Sequence, residues 1–405
     1  MTETQITLDA HTIQALLSGE PDALRILAQN VLQKTLEAQM DEHLGAGRYE
    51  RSEQRRGSRN GHYERKLTTR VGQLTLRVPR DREGTFSTAL FERYSRSERA
   101  LVTTLVEMVV CGVSTRRVTR ITHQLCGKEF SKSTVSRYAQ QLDELVDSWR
   151  NRRLEHDFPF LLVDAIQLKV RQDTCVESMA LMVAVGVGED GVRRILGCEL
   201  GHSECMQGWL GFFRNLVERG LSGVDLVVSD AHEGLVQAAR KVFAGAVWQR
   251  CQTHFRRNVS DAAPKRHQNT IHAALDTILK AENVEDARAA LEETLEELEG
   301  KCDKALECLE RGWEDACAVL NWPKKYRKRL RTTNMVERLN GELRRRDRVI
   351  RIYPNATSAI RLMGAQLVEH DEVWETNGKY LEMLEYQEWK ASREASETIH
   401  AAAAE

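Results

Sequence analysis

The chain has 405 residues, of which 41% are hydrophobic and 29% are charged. This composition is typical of globular domains and excludes a chain that is disordered throughout. The sequence contains no run of about 18 apolar residues and no secretion signal, so neither a membrane span nor export is expected. Its nine cysteines include no C-x-x-C pair, which favours reduced thiols in the cytoplasm.

The net charge of -1 hides segments of opposite sign. Residues 51–153 hold 22 Lys and Arg against 11 Asp and Glu, and residues 324–351 hold 12 against 3. Residues 265–322 carry 14 acidic and 7 basic residues, and residues 366–405 carry 10 and 3. Basic segments of this kind are expected to neutralise phosphates, and solvated helix faces are the alternative explanation.

The N-terminal part is predicted to be mainly helical. Residues 1–50 show apolar side chains at helical spacing, which indicates one or more helices and a possible surface for self-association. Residues 51–153 are predicted to form a basic DNA-binding region. It begins with a β-hairpin, because Leu74, Leu76 and Val78 alternate with polar residues after a Val-Gly turn.

A helix-turn-helix is predicted at about residues 114–145. Val118 and Leu125 lie on one apolar face, and Ser131 is placed to cap a second helix that runs to Leu145. Helical hairpins that bind no DNA are common, so plain packing remains an alternative. The outward side chains are of types that contact bases and phosphates, and the candidate DNA contacts are Lys132, Ser133, Thr134, Arg137 and Gln140.

From Phe158 onwards the apolar pattern predicts strands and helices in the order βββαβαβ. This α/β core is assigned to residues 154–260 and 324–365. An acidic stretch with leucines at helical spacing separates the two parts and predicts an α-helical insertion at residues 261–323. Residues 366–405 are expected to form an acidic, helical C-terminal tail.

Two aspartates each follow an apolar strand, Asp164 after the first strand and Asp230 after the fourth. If these strands are neighbours, both carboxylates reach the same edge of the sheet. A third carboxylate from a helix would complete an all-oxygen site suited to magnesium or manganese. Because Asp230 also stands directly before a predicted helix, N-capping is an equally open interpretation of that residue.

The pair Cys251 and His254 has the C-x-x-H spacing of zinc ligands. Structural zinc requires four ligands, and no second pair of this kind follows closely, so a zinc site is not favoured. A place at the edge of an active site and ordinary packing both remain open.

Several ordered motifs resemble the Mutator-like bacterial insertion-sequence transposases. They are FLLVDAIQLKVR, LVVSDAHEGL, WQRCQTHFRRNV and RTTNMVERLNGELRRR, preceded by RRGSRNGHYERKLTT and VPRDREGTF. The resemblance implies a ribonuclease H-like core with a mixed five-stranded sheet. It also implies a D-D-E triad of Asp164, Asp230 and Glu337 that binds two Mg²⁺ or Mn²⁺ ions.

The same resemblance implies binding to double-stranded DNA at terminal inverted repeats, cleavage there, and strand transfer into target DNA by a homodimer or larger homo-oligomer. Asn334 and Arg338 are expected beside Glu337 at the edge of the active site. Basic side chains around this helix are expected to clamp the DNA backbone; they are Lys324, Lys325, Arg327, Lys328, Arg329, Arg331, Arg344, Arg345 and Arg346. The alternatives are an inactive or domesticated transposase that acts as a DNA-binding regulator, and a nuclease that does not join strands.

Overall fold

The computed structural model divides the chain into two compact units, residues 1–141 and residues 142–405. The boundary lies earlier than the one expected at residue 153. The described residues are 13–14, 22–88, 91, 99–126, 129–202 and 205–404. Much of the predicted N-terminal helical segment, residues 1–12 and 15–21, therefore lies outside the described part of the chain.

The first unit begins with helix α1 (Ala23–Leu44) and a hairpin of strands β1 (Arg59–Thr69) and β2 (Gly72–Asp81). The two strands pair antiparallel, with Leu67 opposite Leu74. Gly72 has φ 117°, a conformation that favours glycine and allows the tight turn. The inward leucines of the hairpin pack against α1 in a small core of their own.

Three short helices complete the first unit: α2 (Arg99–Val110), α3 (Thr115–Cys126) and α4 (Lys132–Ala139). Ser131 caps α4, because its hydroxyl accepts a hydrogen bond from the backbone N–H of Thr134 at 3.1 Å. The second helix of the predicted helix-turn-helix ends at Ala139 rather than continuing to Leu145. Leu145, expected inside, is 50% exposed and lies on the next helix, which belongs to the second unit.

The second unit is built on a mixed five-stranded sheet. After helix α5 (Leu142–Arg150) come strands β3 (Phe160–Gln172), β4 (Cys175–Val187) and β5 (Arg193–Gly201), then β6 (Leu226–Ser229) and β7 (Val247–Arg250). The spatial order is β5-β4-β3-β6-β7. The first three strands form an antiparallel meander, and β3, β6 and β7 run parallel.

Two helices connect the parallel strands, α6 (Met206–Glu218) before β6 and α7 (Glu233–Val242) before β7. The element order in this part of the chain is therefore βββαβαβ, as predicted. Their apolar faces pack on the sheet, where Trp209 and Phe213 of α6 are fully buried beside Leu161 and Val227. This apolar layer fixes the two strands that carry the aspartates.

A helical layer follows β7 directly and has its own core. It consists of α8 (Gln252–Ala262), α9 (Gln268–Leu279), α10 (Val284–Leu298) and α11 (Asp303–Cys317). Phe255 and Val259 of α8 belong to this core together with Trp313. The helical layer therefore begins at residue 252, before the start expected at residue 261.

The chain returns to the sheet through α12 (Lys324–Leu330), α13 (Asn334–Ile350), α14 (Ala356–Thr376) and α15 (Leu384–Ala404). Helix α14 packs against β5 and α5 and buries Leu362, Met363 and Leu367. It crosses the expected border at residue 365, so residues 366–376 are part of the packed core instead of a tail.

Candidate active site

Asp164 and Asp230 lie level with one another on neighbouring parallel strands. Leu162 of β3 pairs with Val228 of β6, and each aspartate lies two residues further along the chain. β6 ends at Ser229, whereas β3 continues to Gln172 and stays paired with β4. Asp164 is thus in the middle of its strand, not at its end as expected, but it lies where the pairing with β6 stops.

The carboxylate of Asp164 is held by two hydrogen bonds. The backbone N–H of Ala165 donates to Oδ1 at 2.9 Å, and the side-chain amide of Asn340 on α13 donates to Oδ2 at 2.8 Å. Burial and, to a smaller extent, the negative charge of Asp230 raise the pKa of Asp164 to about 6, against the lowering effect of these two hydrogen bonds. The position of Asp164 therefore disfavours the charged form of its carboxylate, which a nearby positive charge would stabilise.

Asp230 does not cap the helix that follows it. The N-cap position of α7 is His232, and the backbone N–H of His232 donates to Asp230 Oδ1 at 3.2 Å. This contact orients the carboxylate in a turn between strand and helix. The N-capping interpretation of Asp230 is accordingly replaced by a turn.

Glu337 lies in the first turn of α13, where a negative side chain is favoured by the helix dipole. The helix is anchored by Val336, Leu339 and Leu343, which are buried. Glu337 Oε1 lies 3.1 Å from the hydroxyl of Thr333 and 3.7 Å from Nε2 of His254. Glu337 thereby faces α8, which starts immediately after β7.

His254 is a common neighbour of all three carboxylates. Its pKa is raised to about 8, first by its interaction with Cys251 and then by the charges of Glu337 and Asp230, which outweigh burial. The charge of His254 in turn lowers the pKa of Asp164. One imidazole, protonated at neutral pH, therefore lies within electrostatic range of Asp164, Asp230 and Glu337.

Cys251 is buried at the N-cap position of α8. Its sulfur accepts hydrogen bonds from the backbone N–H of Thr333 at 3.4 Å and from the Thr333 hydroxyl at 3.2 Å. Burial alone would raise the pKa of the Cys251 thiol, but the interactions with His254 and Thr333 lower it overall. Cys251 thus links the start of α8 to the segment that leads into α13.

Ligand atoms of Cys251, His254 and Glu337 all lie within 4.8 Å of one another. Within the described parts of the chain, no fourth Cys, His, Asp or Glu joins this group. The C-x-x-H pair therefore meets the third carboxylate and not a second pair of zinc ligands. Such a three-residue group lacks the closed four-ligand set of a structural zinc site.

The expected neighbours of Glu337 lie on the outer side of α13. Asn334 is exposed and accepts a hydrogen bond from the Thr253 hydroxyl at 3.3 Å. Arg338 is exposed as well. Sequence reasoning missed Thr333 and Asn340, the two polar residues that contact the carboxylates from buried positions. No spacing signal distinguished them from other polar residues of the segment.

The basic run before α13 separates into two groups. Lys324 pairs with Glu282, Lys325 lies 4.0 Å from Glu385, and Arg327 donates to the carbonyl of Glu282 at 2.7 Å. These three side chains are engaged within the protein. Another three line a large cleft beside α13; they are Lys328, Arg329 and Arg331.

Further along α13, Arg344 and Arg345 are exposed and Arg346 is half-buried. Arg345 pairs with Glu342 at 2.7 Å. These arginines follow the site residues on the same helix. The expected contact of these arginines with a DNA backbone stays a prediction.

The candidate DNA contacts of the first unit lie on and after α4. Lys132, Ser133, Arg137 and Gln140 are exposed, and Thr134 is half-buried. The hydroxyls of Ser133 and Thr134 lie 2.8 and 2.9 Å from the Ser131 hydroxyl, so both are engaged in the start of the helix. Arg137 lies over the ring of Tyr138 at 5.8 Å.

Comparison with known proteins identifies the family. The family described as "Transposase, Mutator family" matches residues 1–377. The chain belongs to the Mutator family of transposases. It is 44% identical over 390 residues to the transposase for insertion sequence element ISRM5 of Rhizobium meliloti (strain 1021), covering 96% of this chain and 98% of that protein.

Other Mutator-family relatives are similar over comparable lengths. The transposase for insertion sequence element IS256 in transposon Tn4001 of Staphylococcus aureus is 43% identical over 387 residues, 94% of this chain and 99% of that protein. The transposase for insertion sequence element IS1081 of Mycobacterium tuberculosis (strain ATCC 25618 / H37Rv) is 39% identical over 368 residues, 90% and 89% respectively. Among the described residues of this Mutator-family chain, no helix is long and apolar enough to cross a membrane.

Proposed function

We propose that this Mutator-family protein cleaves DNA at the ends of an insertion element and joins the ends to target DNA, with Asp164, Asp230 and Glu337 as its catalytic triad. The observation that carries the proposal is the hydrogen bond from Asn340 to Asp164, which joins the helix of Glu337 to the strand that pairs with β6, the strand leading into Asp230. The strand order β5-β4-β3-β6-β7 supports assigning the second unit to the ribonuclease H-like fold.

The donor set fits divalent magnesium or manganese. Three carboxylates are the ligands that these hard cations prefer. Burial, and to a smaller extent the charge of Asp230, raises the pKa of Asp164, so a bound cation would stabilise the charged form of this carboxylate. Asp164, Asp230 and Glu337 would hold the ions. Two such ions, when bound, hold the attacking and leaving oxygens of an in-line displacement at phosphorus.

The remaining side chains orient this cluster. Asn340 fixes the rotamer of Asp164 through its amide, and Thr333 does the same for Glu337. His254 carries a proton at neutral pH, so its positive charge offsets the carboxylates and it is not available as a general base. Lys328, Arg329 and Arg331 supply further positive charge for the DNA phosphates.

Recognition of terminal inverted repeats is assigned to the first unit, where α4 presents Lys132 and Arg137 to solvent. A transposase acts on two DNA ends together, so we propose that it works as a homodimer or a larger homo-oligomer. Each subunit would contribute one triad.

The experiment is a strand-transfer assay with the purified chain, labelled DNA from both flanks of its gene, and Mg²⁺ or Mn²⁺. We expect joined products from the wild type and none from Asp164→Ala, Asp230→Ala or Glu337→Ala. Glu310→Ala is the control, since Glu310 is an exposed carboxylate on α11 that does not line the cleft beside α13; it should still join strands.

Each alternative function has its own outcome. Cleavage without joined products would assign the chain to the nucleases and contradict the proposal. Tight binding of the flanking DNA without cleavage in either metal would indicate a DNA-binding regulator. Joined products that persist in all three triad variants would show that the reacting groups lie elsewhere.

A further inference from the structure

A cleft of about 1280 Å³ lies beside α13. Helices α8, α9, α12 and α14 contribute to its walls, together with residues of the segment around Tyr380 and Arg193 at the start of β5. Asn334 and Arg338 line it from the same turn of α13 that carries Glu337. The cleft therefore opens next to the proposed active site and within the second unit alone.

The lining of the cleft is strongly cationic. It includes seven Arg and Lys side chains and two carboxylates. One carboxylate, Asp276, is neutralised by ion pairs with Arg256 and Lys280. Five cations have no carboxylate of the described residues within 4.0 Å; they are Arg193, Lys328, Arg329, Arg331 and Arg338. Unpaired cations concentrated in one cleft predict an anionic ligand with several charges.

Two of these arginines are held in place by aromatic rings. The Arg193 guanidinium lies 4.3 Å from the centre of the Trp374 ring and 5.1 Å from that of Tyr380. Arg329 lies 4.5 Å from the centre of the Tyr380 ring. Guanidinium groups fixed in this way lose less side-chain entropy when they bind, and their planar N–H groups match the oxygens of a phosphate.

We propose that this cleft binds a single-stranded segment of DNA adjacent to the phosphodiester that reacts at the proposed site of Asp164, Asp230 and Glu337. This inference rests on the proposed function and specifies where one DNA strand lies beside the proposed active site. Pockets of about 300 to 1,000 Å³ hold drug-sized ligands, so this cleft accommodates a few nucleotides.

Continuity with the active site favours DNA over an acidic protein segment. Arg338 follows Glu337 directly in sequence, and Arg331 precedes α13 by three residues. A strand that leaves the carboxylate cluster across this turn of α13 meets Arg338 first and then the cations of α12. The continuity of these cations with the segment that carries Glu337 favours a DNA strand as the occupant.

The test measures binding by the full chain in EDTA, where cleavage does not occur. A labelled duplex from the flank of the gene is prepared blunt and with a single-stranded extension of about six nucleotides. Affinity is measured by fluorescence anisotropy over a range of salt concentrations. The cleft variant combines Arg193→Gln, Lys328→Gln and Arg331→Gln.

For the extended DNA, the slope of log K against log salt should decrease by about 2 in the cleft variant, because each phosphate contact on a single strand contributes about 0.7. The slope for blunt DNA should stay at its wild-type value. The matched control combines Lys241→Gln, Lys265→Gln and Lys304→Gln, three exposed lysines outside the cleft. It removes the same charge and should leave both slopes unchanged.

An unchanged slope in the cleft variant would overturn the inference. An equal decrease of the slope in the lysine control would also overturn the inference, because it would show that the slope follows the net charge of the protein. If the cleft variant fails to fold, photo-crosslinking of wild type through 4-thiothymidine in the extension replaces it. Crosslinks within residues 324–342 support the inference, and crosslinks confined to residues 99–141 contradict it.

The two proposals fail separately. Absence of strand transfer with a salt slope that depends on the cleft would remove the proposed function and keep the single-strand site. Normal strand transfer with a salt slope that is the same in the cleft variant and the wild type would keep the proposed function and remove the single-strand site.

Discussion

The side-chain amide of Asn340 donates a hydrogen bond to Oδ2 of Asp164 at 2.8 Å, across 176 positions of sequence. This contact joins the helix that carries Glu337 to the strand that carries Asp164. Asn340 is fully buried, and its own Oδ1 has no hydrogen-bond partner. Leaving a buried amide oxygen without a partner costs free energy, so Asn340 stabilises the fold less than a fully hydrogen-bonded amide would.

Asn340→Ala should slow strand cleavage about 10- to 100-fold and raise the Mg²⁺ concentration needed for half-maximal rate, because an unheld Asp164 is a poorer metal ligand. Initial rates measured against Mg²⁺ concentration test this. Asn340→Ser, which keeps a donor, should recover part of the rate. Asn269→Ala, at an exposed position of α9, is the control. A normal Mg²⁺ requirement in Asn340→Ala would contradict a positioning role.

Asp164→Asn should stabilise the protein in EDTA. Burial raises the pKa of Asp164 from 3.8 to about 6, so in the wild type stability is lost as the pH rises from about 4 to about 6. The variant has no carboxylate to ionise at this position, so its free energy of unfolding at pH 7 should exceed that of the wild type by on the order of 1 to 3 kcal/mol.

Thermal unfolding of both proteins in EDTA at pH 4 and pH 7 measures the difference. The advantage of Asp164→Asn should be absent at the lower pH and present at the higher one. Equal stabilisation at both values would show that the charge of Asp164 is not its cause.

Asp371→Ala should lower the free energy of unfolding by about 3 to 5 kcal/mol. Asp371 is 5% exposed and accepts hydrogen bonds from Trp149 Nε1, Arg152 and the backbone N–H of Ile195 at 2.8, 2.8 and 2.6 Å. Removing the carboxylate leaves these donors without their acceptor. Chemical denaturation measures the loss.

Asp147→Ala is the control for that experiment, because the Asp147 side chain is 64% exposed and lies 3.9 Å from Arg150. An exposed pair of this kind contributes about 1 kcal/mol or less. A similar decrease in the free energy of unfolding of both variants would mean that the buried hydrogen bonds to Asp371 stabilise the protein no more than an exposed ion pair does.

Gly364→Ala should destabilise the second unit by about 1 to 3 kcal/mol. A Cβ at this position of α14 would lie 2.4 Å from Val146 Cγ1 on α5, which outweighs the gain of about 1 kcal/mol in helix propensity. In Gly211→Ala on α6 a Cβ meets nothing within 4 Å, so there the propensity gain should appear as stabilisation.

Adding Val146→Ala to Gly364→Ala tests the cause. The double variant should be more stable than the sum of the two single effects by roughly 0.5 to 3 kcal/mol, since the two side chains would no longer overlap. Additive effects would show that overlap between these two side chains does not cause the destabilisation.

The order of the elements along the chain and the helix of Glu337 could be predicted because their signals are local. Apolar runs that end in Asp164 and Asp230 marked two strands, and the spacing of Met335, Leu339 and Leu343 marked α13, whereas the pairing of the two strands was not fixed by these local signals. The length of β3 was also available. Ile166, Leu168 and Val170 alternate with polar residues beyond Asp164 and are buried, as expected of a strand with one face in the core.

Contacts between distant parts of the chain could not be predicted. Leu142 and Leu145 fit the spacing of the helix before them, but the buried residue of α5 is Val146. It packs on Gly364, and Asp143 pairs with Arg361 at 2.6 Å, so the helix belongs to the second unit. Likewise, only the folded chain brings Thr333 to Cys251 and Asn340 to Asp164.

The C-terminal helix matters for anyone who prepares part of this protein. The match to the family ends at residue 377, yet Leu381, Met383 and Tyr386 are 5%, 3% and 1% exposed. The Tyr386 hydroxyl donates to Asp225, one residue before β6, and its ring packs edge-on against Phe160 of β3. A fragment cut at residue 377 would expose apolar surface beneath both aspartate-bearing strands, so a soluble catalytic fragment has to extend beyond Tyr386.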